Sequence, residues 1–269
     1  MKFGICCAID ADLADTAAKL GYDYLEFSAC QVAGLEEDDF KARVKKVNDA
    51  GIKIETCNGL FPKEMAFVGT DVDWSKVKEY SKSVVDRMNR AGVETIVFGS
   101  GSSRAVPEDF SREEAYKQIE EAFSIVCEET ARTGINIAIE TLNITETNTL
   151  NSLKEGYDFI KKANLPNLHL LADLYHVAME GDITRAMNDL RACKSEIIHT
   201  HISNPIGRKM PYINDGFDYN LFFGALKDIG YDARVSIEGG DWFVAYPTFE
   251  SYERQLEEAM KLYKSLGLK

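Results

Sequence analysis

Hydrophobic and polar positions along the chain repeat as one unit: a long amphipathic stretch, a glycine, then a short β-branched or aromatic run. The joints are Leu20-Gly21 ahead of residues 24–27, Ala50-Gly51 ahead of 52–57, Ala91-Gly92 ahead of 95–98, Thr133-Gly134 ahead of 135–140, and Ile229-Gly230 ahead of 234–238. Glycine is favoured where a helix ends in the left-handed region, so each joint predicts helix, cap and strand. Residues 3–9, 168–173 and 197–202 complete a set of eight strands. Between strands, Phe40-Val44-Val47, Val77-Tyr80-Val84-Met88, Tyr116-Ile119-Phe123-Val126 and Tyr252-Leu256-Met260-Tyr263 recur at helical spacing. Each such stretch predicts a helix with one apolar face for a sheet.

Eight units in 269 residues average about 34 residues each. Alternation of strand and helix predicts a parallel sheet, and eight units fit a (β/α)8 barrel better than a doubly wound sheet. No low-complexity linker divides the chain. The expectation is an α/β protein, one (β/α)8 barrel domain over residues 1–269.

Side chains alternate between the two faces of a barrel strand, and chemistry collects at the strands' C-terminal ends. The isoleucines of 135–140 share one parity, which turns Glu140 inward at the last position. The same alternation turns Glu238 inward at the end of the eighth strand, Asp173 with Leu171 in the sixth, and His201 with His199 in the seventh. Glu140, Asp173, His201 and Glu238 would then meet at one mouth. Three carboxylates and an imidazole form a mostly oxygen donor set, suited to one divalent ion such as Mn²⁺, Mg²⁺ or Co²⁺. Without a cation, three such carboxylates would repel one another and lose solvation.

Other groups are less telling. His176 follows Asp173 closely enough to bind substrate or shape the site, His199 reads as a buried partner one layer below His201, and His169 reads as structural. Glu26 and the pair Cys57-Asn58 are expected as pocket walls. The loop from Phe98 to Arg104 offers backbone N–H groups and an arginine suited to a phosphate or a distal hydroxyl, or is only a connection. The six cysteines are scattered, with no C-x-x-C pair, and are expected as free thiols; Cys6 and Cys7 point to opposite faces of a strand.

Charge narrows the choice of partner. With 31 Lys+Arg against 44 Asp+Glu the chain carries a formal charge of −13, which argues against nucleic acid. No apolar run approaches the roughly 20 residues that cross a bilayer, so no membrane partner is expected. The first residues carry too short an apolar stretch for a secretory signal, and the expected location is the cytoplasm.

Four motifs carry a resemblance: Glu140-Thr141-Leu142-Asn143 with Glu146, Asp173-Leu174-Tyr175-His176, His199-Thr200-His201-Ile202 followed by Gly207-Arg208, and Ser236-Ile237-Glu238. In these the chain resembles the xylose isomerase-like barrels that isomerise and epimerise sugars, and among them the D-tagatose 3-epimerase and D-psicose (allulose) 3-epimerase group. The resemblance spans essentially the whole chain by strand order. It implies that Glu140, Asp173, His201 and Glu238 bind one divalent metal, that Glu140 and Glu238 are the catalytic bases, and that Glu146, His176 and Arg208 contact the sugar. The reaction it implies is removal and return of a proton beside a ketose carbonyl, through a metal-stabilised enediolate. It also implies a homo-oligomer, dimer or tetramer.

One departure stands out. The group usually has a basic and then an aromatic residue between the asparagine and the second glutamate, whereas this chain has Ile144-Thr145. Aldose–ketose isomerisation, hydroxypyruvate-type isomerisation and inosose dehydration remain open on the same ligand set. An endonuclease IV-like phosphodiesterase is disfavoured by only four histidines and the negative charge.

Overall fold

Strand β1 (Lys2–Cys6) pairs in parallel with both β2 (Tyr24–Ser28) and β8 (Arg234–Ile237), and this double pairing closes the sheet. Between them β3 (Lys53–Asn58), β4 (Thr95–Phe98), β5 (Asn136–Glu140), β6 (Leu168–Asp173) and β7 (Ile197–Ile202) follow in chain order, every pair parallel. The computed structural model describes residues 1–239 and 249–269. The eight expected strands are present as a closed barrel.

The helices of the described residues are α1 (Ala14–Leu20), α2 (Ala29–Ala33), α3 (Glu37–Asp49), α4 (Trp74–Ala91), α5 (Arg112–Ala131), α6 (Leu153–Ala163), α7 (Leu174–Ala178), α8 (Ile183–Ala192), α9 (Asn220–Asp228) and α10 (Phe249–Ser265). Their ends follow from local chemistry. Asp73 and Ser111 accept backbone N–H bonds at the starts of α4 and α5. Gly21 and Gly92 end α1 and α4 at φ of 91° and 86°, where a Cβ would be strained. Among the described residues no helix is long and apolar enough to cross a membrane.

Two apolar layers flank the strands. Ile137 and Ile139 face outward and join Phe123, Val126 and Phe159 in the large cluster beneath the helices. Val97, Ala138 and Leu171 face inward and fill the barrel, with Ile198 against them. Burying a side chain the size of Phe123 contributes about 1.5–3 kcal/mol. The split confirms the parity that turns Glu140 and Asp173 inward.

Two strand ends and one register shift bear on the site. The first strand stops at Cys6 instead of reaching residue 9, because Asp10 caps a short helical turn at Ala11–Leu13. Strand β8 stops at Ile237, so Glu238 stands one residue beyond it, its N–H donating to Ile202 O at 3.0 Å. In β7 the pairing with β6 skips Ile198, so a bulge sits just below His199.

Candidate metal centre and active site

Glu140 and Asp173 are the last residues of β5 and β6, His201 is the fifth of six in β7, and Glu238 follows β8. One ligand atom from each can be chosen so that all four lie within 4.8 Å of one another. His201 Nδ1 stands 3.2 Å from Glu140 Oε1, 3.3 Å from Glu238 Oε2 and 3.9 Å from Asp173 Oδ2. Asp173 also starts α7: its Oδ1 accepts the Tyr175 N–H at 2.6 Å, which turns Oδ2 into the cluster. That Oδ2 is buried and has no hydrogen-bond partner.

The electrostatics are those of a crowded acid site. Burial pushes the Asp173 carboxyl up; Arg208 opposes this, while Glu238 and Glu140 add to it. Burial also pushes Glu238 up, but His201 and Arg208 together hold it below the usual range. Burial alone would lower His201, yet Glu26 and Glu238 hold it well above the ordinary histidine value. An orphaned carboxylate oxygen among two further carboxylates and an imidazole nitrogen fits a divalent cation, which would satisfy the oxygen and offset the repulsion.

Glu146, His176 and Arg208 gather at the same mouth. Arg208 Nη2 donates to Glu238 Oε2 at 2.7 Å and Nη1 to Glu146 Oε1 at 3.2 Å, while the guanidinium lies 4.8 Å above the Tyr175 ring. His176 lies within α7 and is buried. Its Nδ1 accepts from the Asn143 backbone N–H at 3.2 Å, and the Asn143 amide stands 2.9 Å away. A backbone N–H can only donate, so Nδ1 accepts; Nε2 stands 3.5 Å from Arg208 Nη2, 3.9 Å from Glu140 and 3.8 Å from Asp173. Burial, then Arg208, push His176 down to about 4, so it is neutral at pH 7.

Several expectations need correction. Glu26 is not a pocket wall: it is fully buried beneath His201. Cys57 faces the outer layer beside Phe27 and Ile54, while Asn58 reaches the site and donates to Glu238 Oε1 at 2.8 Å. Arg104 is fully buried, and its Nη2 donates to the Glu140 carbonyl at 2.9 Å, so the loop after β4 braces the end of β5. His169 lies apart, 3.5 Å from Glu196. All six cysteines are free, and Cys6 lies against Glu26 and His201. Gly99 was missed by sequence reasoning: a Cβ there would meet Glu140 Oε2 at 2.3 Å, and no residue type in a sequence announces such a contact.

The closed parallel barrel defines a (β/α)8 protein, with an acidic, histidine-bearing cluster at the C-terminal ends of its strands. The chain belongs to the xylose isomerase-like TIM barrel family, whose model matches residues 14–266. A probable ketose 3-epimerase of Synechocystis is 23% identical over 255 residues, covering 93% of this chain and 82% of that one. The D-psicose 3-epimerase of Agrobacterium fabrum is 26% identical over 237 residues, covering 83% and 77%. The solved structure of a D-psicose 3-epimerase with D-tagatose, from Clostridium cellulolyticum, matches with a TM-score of 0.85 at 20% identity over 100% of both chains, a likeness of fold.

Proposed function

We propose that the protein is a divalent-metal-dependent ketose 3-epimerase. Ketose 3-epimerases stand among its relatives, and the protein is an enzyme of the isomerase class. The observation that carries the reading is the placement of Glu140 and Glu238. They come from strands separated by β6 and β7, yet stand 3.2 and 3.3 Å from the same His201 nitrogen. Inverting a carbon by proton transfer needs one group on each side of the plane, and two carboxylates entering from different strands meet that need.

Glu140, Asp173, His201 and Glu238 would hold the ion, which when bound supplies Lewis-acid stabilisation of negative charge on the substrate oxygens. The remaining steps belong to the chain. One glutamate takes the proton from the carbon beside the carbonyl and the other returns a proton to the opposite face. Asn58 and Arg208 both hydrogen-bond the Glu238 carboxylate and aim it, and His201 and Arg208 keep it ionised. His176 presents its Nε2 edge to the substrate, and Glu146 fixes the guanidinium of Arg208 from the far side. The oxygen-rich donor set supports Mn²⁺ as the ion. A cytoplasmic homodimer or homotetramer completes the reading, checked by fractionation and light scattering.

The test is substitution of each base. Glu140→Gln and Glu238→Gln should each lower epimerisation by about 100-fold or more while the far-UV circular dichroism spectrum is retained. A double variant that still turned over would sink the two-base mechanism.

A further inference from the structure

Beneath the cluster lies a carboxylate surrounded by donors. Glu26, on β2, is fully buried. Its Oε2 has His199 Nε2 at 2.8 Å, Thr56 Oγ1 at 2.7 Å and Ser236 Oγ at 2.6 Å, and its Oε1 has His201 Nε2 at 2.9 Å. The donors come from β3, β7 and β8, so the carboxylate ties together strands that do not all neighbour one another. Tyr24 OH lies 2.7 Å from Ser236 Oγ. Ser236 has a single proton and points it at Glu26, so Tyr24 donates to Ser236 and the chain of protons has one direction.

A carboxylate only accepts, so each imidazole nitrogen facing Glu26 must carry its proton. A histidine that ligates an ion through Nδ1 has given up the proton there and keeps its one proton on Nε2. In His201 that Nδ1 is the atom that faces Glu140, Asp173 and Glu238. His199 has the same bond to Glu26, but its Nδ1 is buried with no partner, so it supports Glu26 and does not reach the cluster.

We infer that Glu26 is a positioning residue for the metal centre: by accepting the Nε2–H of His201 it fixes the tautomer that turns the Nδ1 lone pair toward Glu140, Asp173 and Glu238. The inference rests on the metal reading above. Partners of this kind orient ligating imidazoles, and removing one costs about 10–100-fold in metal affinity. A merely structural role would leave the His201 tautomer and the affinity alone once the variant is folded.

Glu26→Gln keeps the shape but replaces an acceptor oxygen with an NH2 donor, so His201 alone, or His199, Thr56 and Ser236 together, must face another donor. Calorimetric titration of the metal-stripped proteins with Mn²⁺ should give a Kd about 10–100-fold weaker for E26Q than for wild type. A folded E26Q with Kd unchanged overturns the inference. A second measurement needs no variant: NMR of the ¹⁵N-histidine-labelled, Zn²⁺-loaded wild type should show His201 with the ion on Nδ1 and a protected Nε2 proton. Zinc on Nε2, or no Nε2 proton, overturns the inference even where E26Q fails to fold. A wild type that binds neither ion overturns the metal reading itself, and this inference with it.

Discussion

A Cβ on Gly99 would lie 2.3 Å from Oε2 of Glu140, so the residue after β4 is bare where the carboxylate of β5 needs the space. The contact is with the end of a flexible side chain, not with backbone. Gly99→Ala should therefore fold with a melting curve close to wild type, yet push the Glu140 carboxylate aside. Displacement of a reacting group by about 1 Å costs on the order of 100-fold in rate. Wild-type kcat in G99A would show that turnover does not depend on where Glu140 sits.

Arg208 bridges two carboxylates with one planar group, Glu238 at 2.7 Å and Glu146 at 3.2 Å. A lysine ammonium is a point charge and cannot reproduce both bonds in that geometry. Losing one charge-assisted bond, about 1.5–3 kcal/mol, predicts that Arg208→Lys lowers kcat/KM by about 10–100-fold. Bound metal, measured by elemental analysis, should stay stoichiometric. Unchanged kcat/KM would remove Arg208 from the substrate side of the site.

Much of this was legible before any coordinates. Glu140 and Asp173 follow from strand parity, since the isoleucines of β5 and Leu171 of β6 leave only one face for each acid. His201 was legible for the same reason, even though the Ile198 bulge resets the register just below it. What escaped depends on distances between strands that are far apart in sequence. Parity turns Glu26 inward but does not say how deep it lies, and it sits 175 residues from the histidine it holds. Arg104 looked like a ligand group because it ends a glycine-rich loop, but the loop folds it under β5. Asn58 and Gly99 act through single contacts to the glutamates, and neither residue type signals that by itself.

Glu180 offers a pH-dependent test away from the cluster. Burial pushes its carboxyl up from 4.5 to about 6, against the pull of Arg185 at 2.9 Å. A carboxyl with a raised native pKa binds its proton more tightly in the fold than in the unfolded chain. The penalty for ionising it is therefore absent below the ordinary value and fully present above about pH 6. Glu180→Gln, which mimics the protonated form, should match wild type in urea unfolding at pH 4 and exceed it by about 1 kcal/mol at pH 8, after allowance for solvent screening. A difference of the same size at both values would mean that the charge is not its cause.

In the proposed reaction Glu140 and Glu238, around one divalent ion, exchange the proton at C3 of a ketose. This exchange is tested most directly by proton NMR of free and phosphorylated ketoses in D₂O with Mn²⁺-loaded, metal-stripped and reloaded protein, the paramagnetic ion being removed before spectra are recorded. Deuterium at C3 is expected together with the 3-epimer, lost on stripping the metal and regained on reloading. Deuterium in an aldose product, or turnover that survives complete removal of the metal, would contradict it.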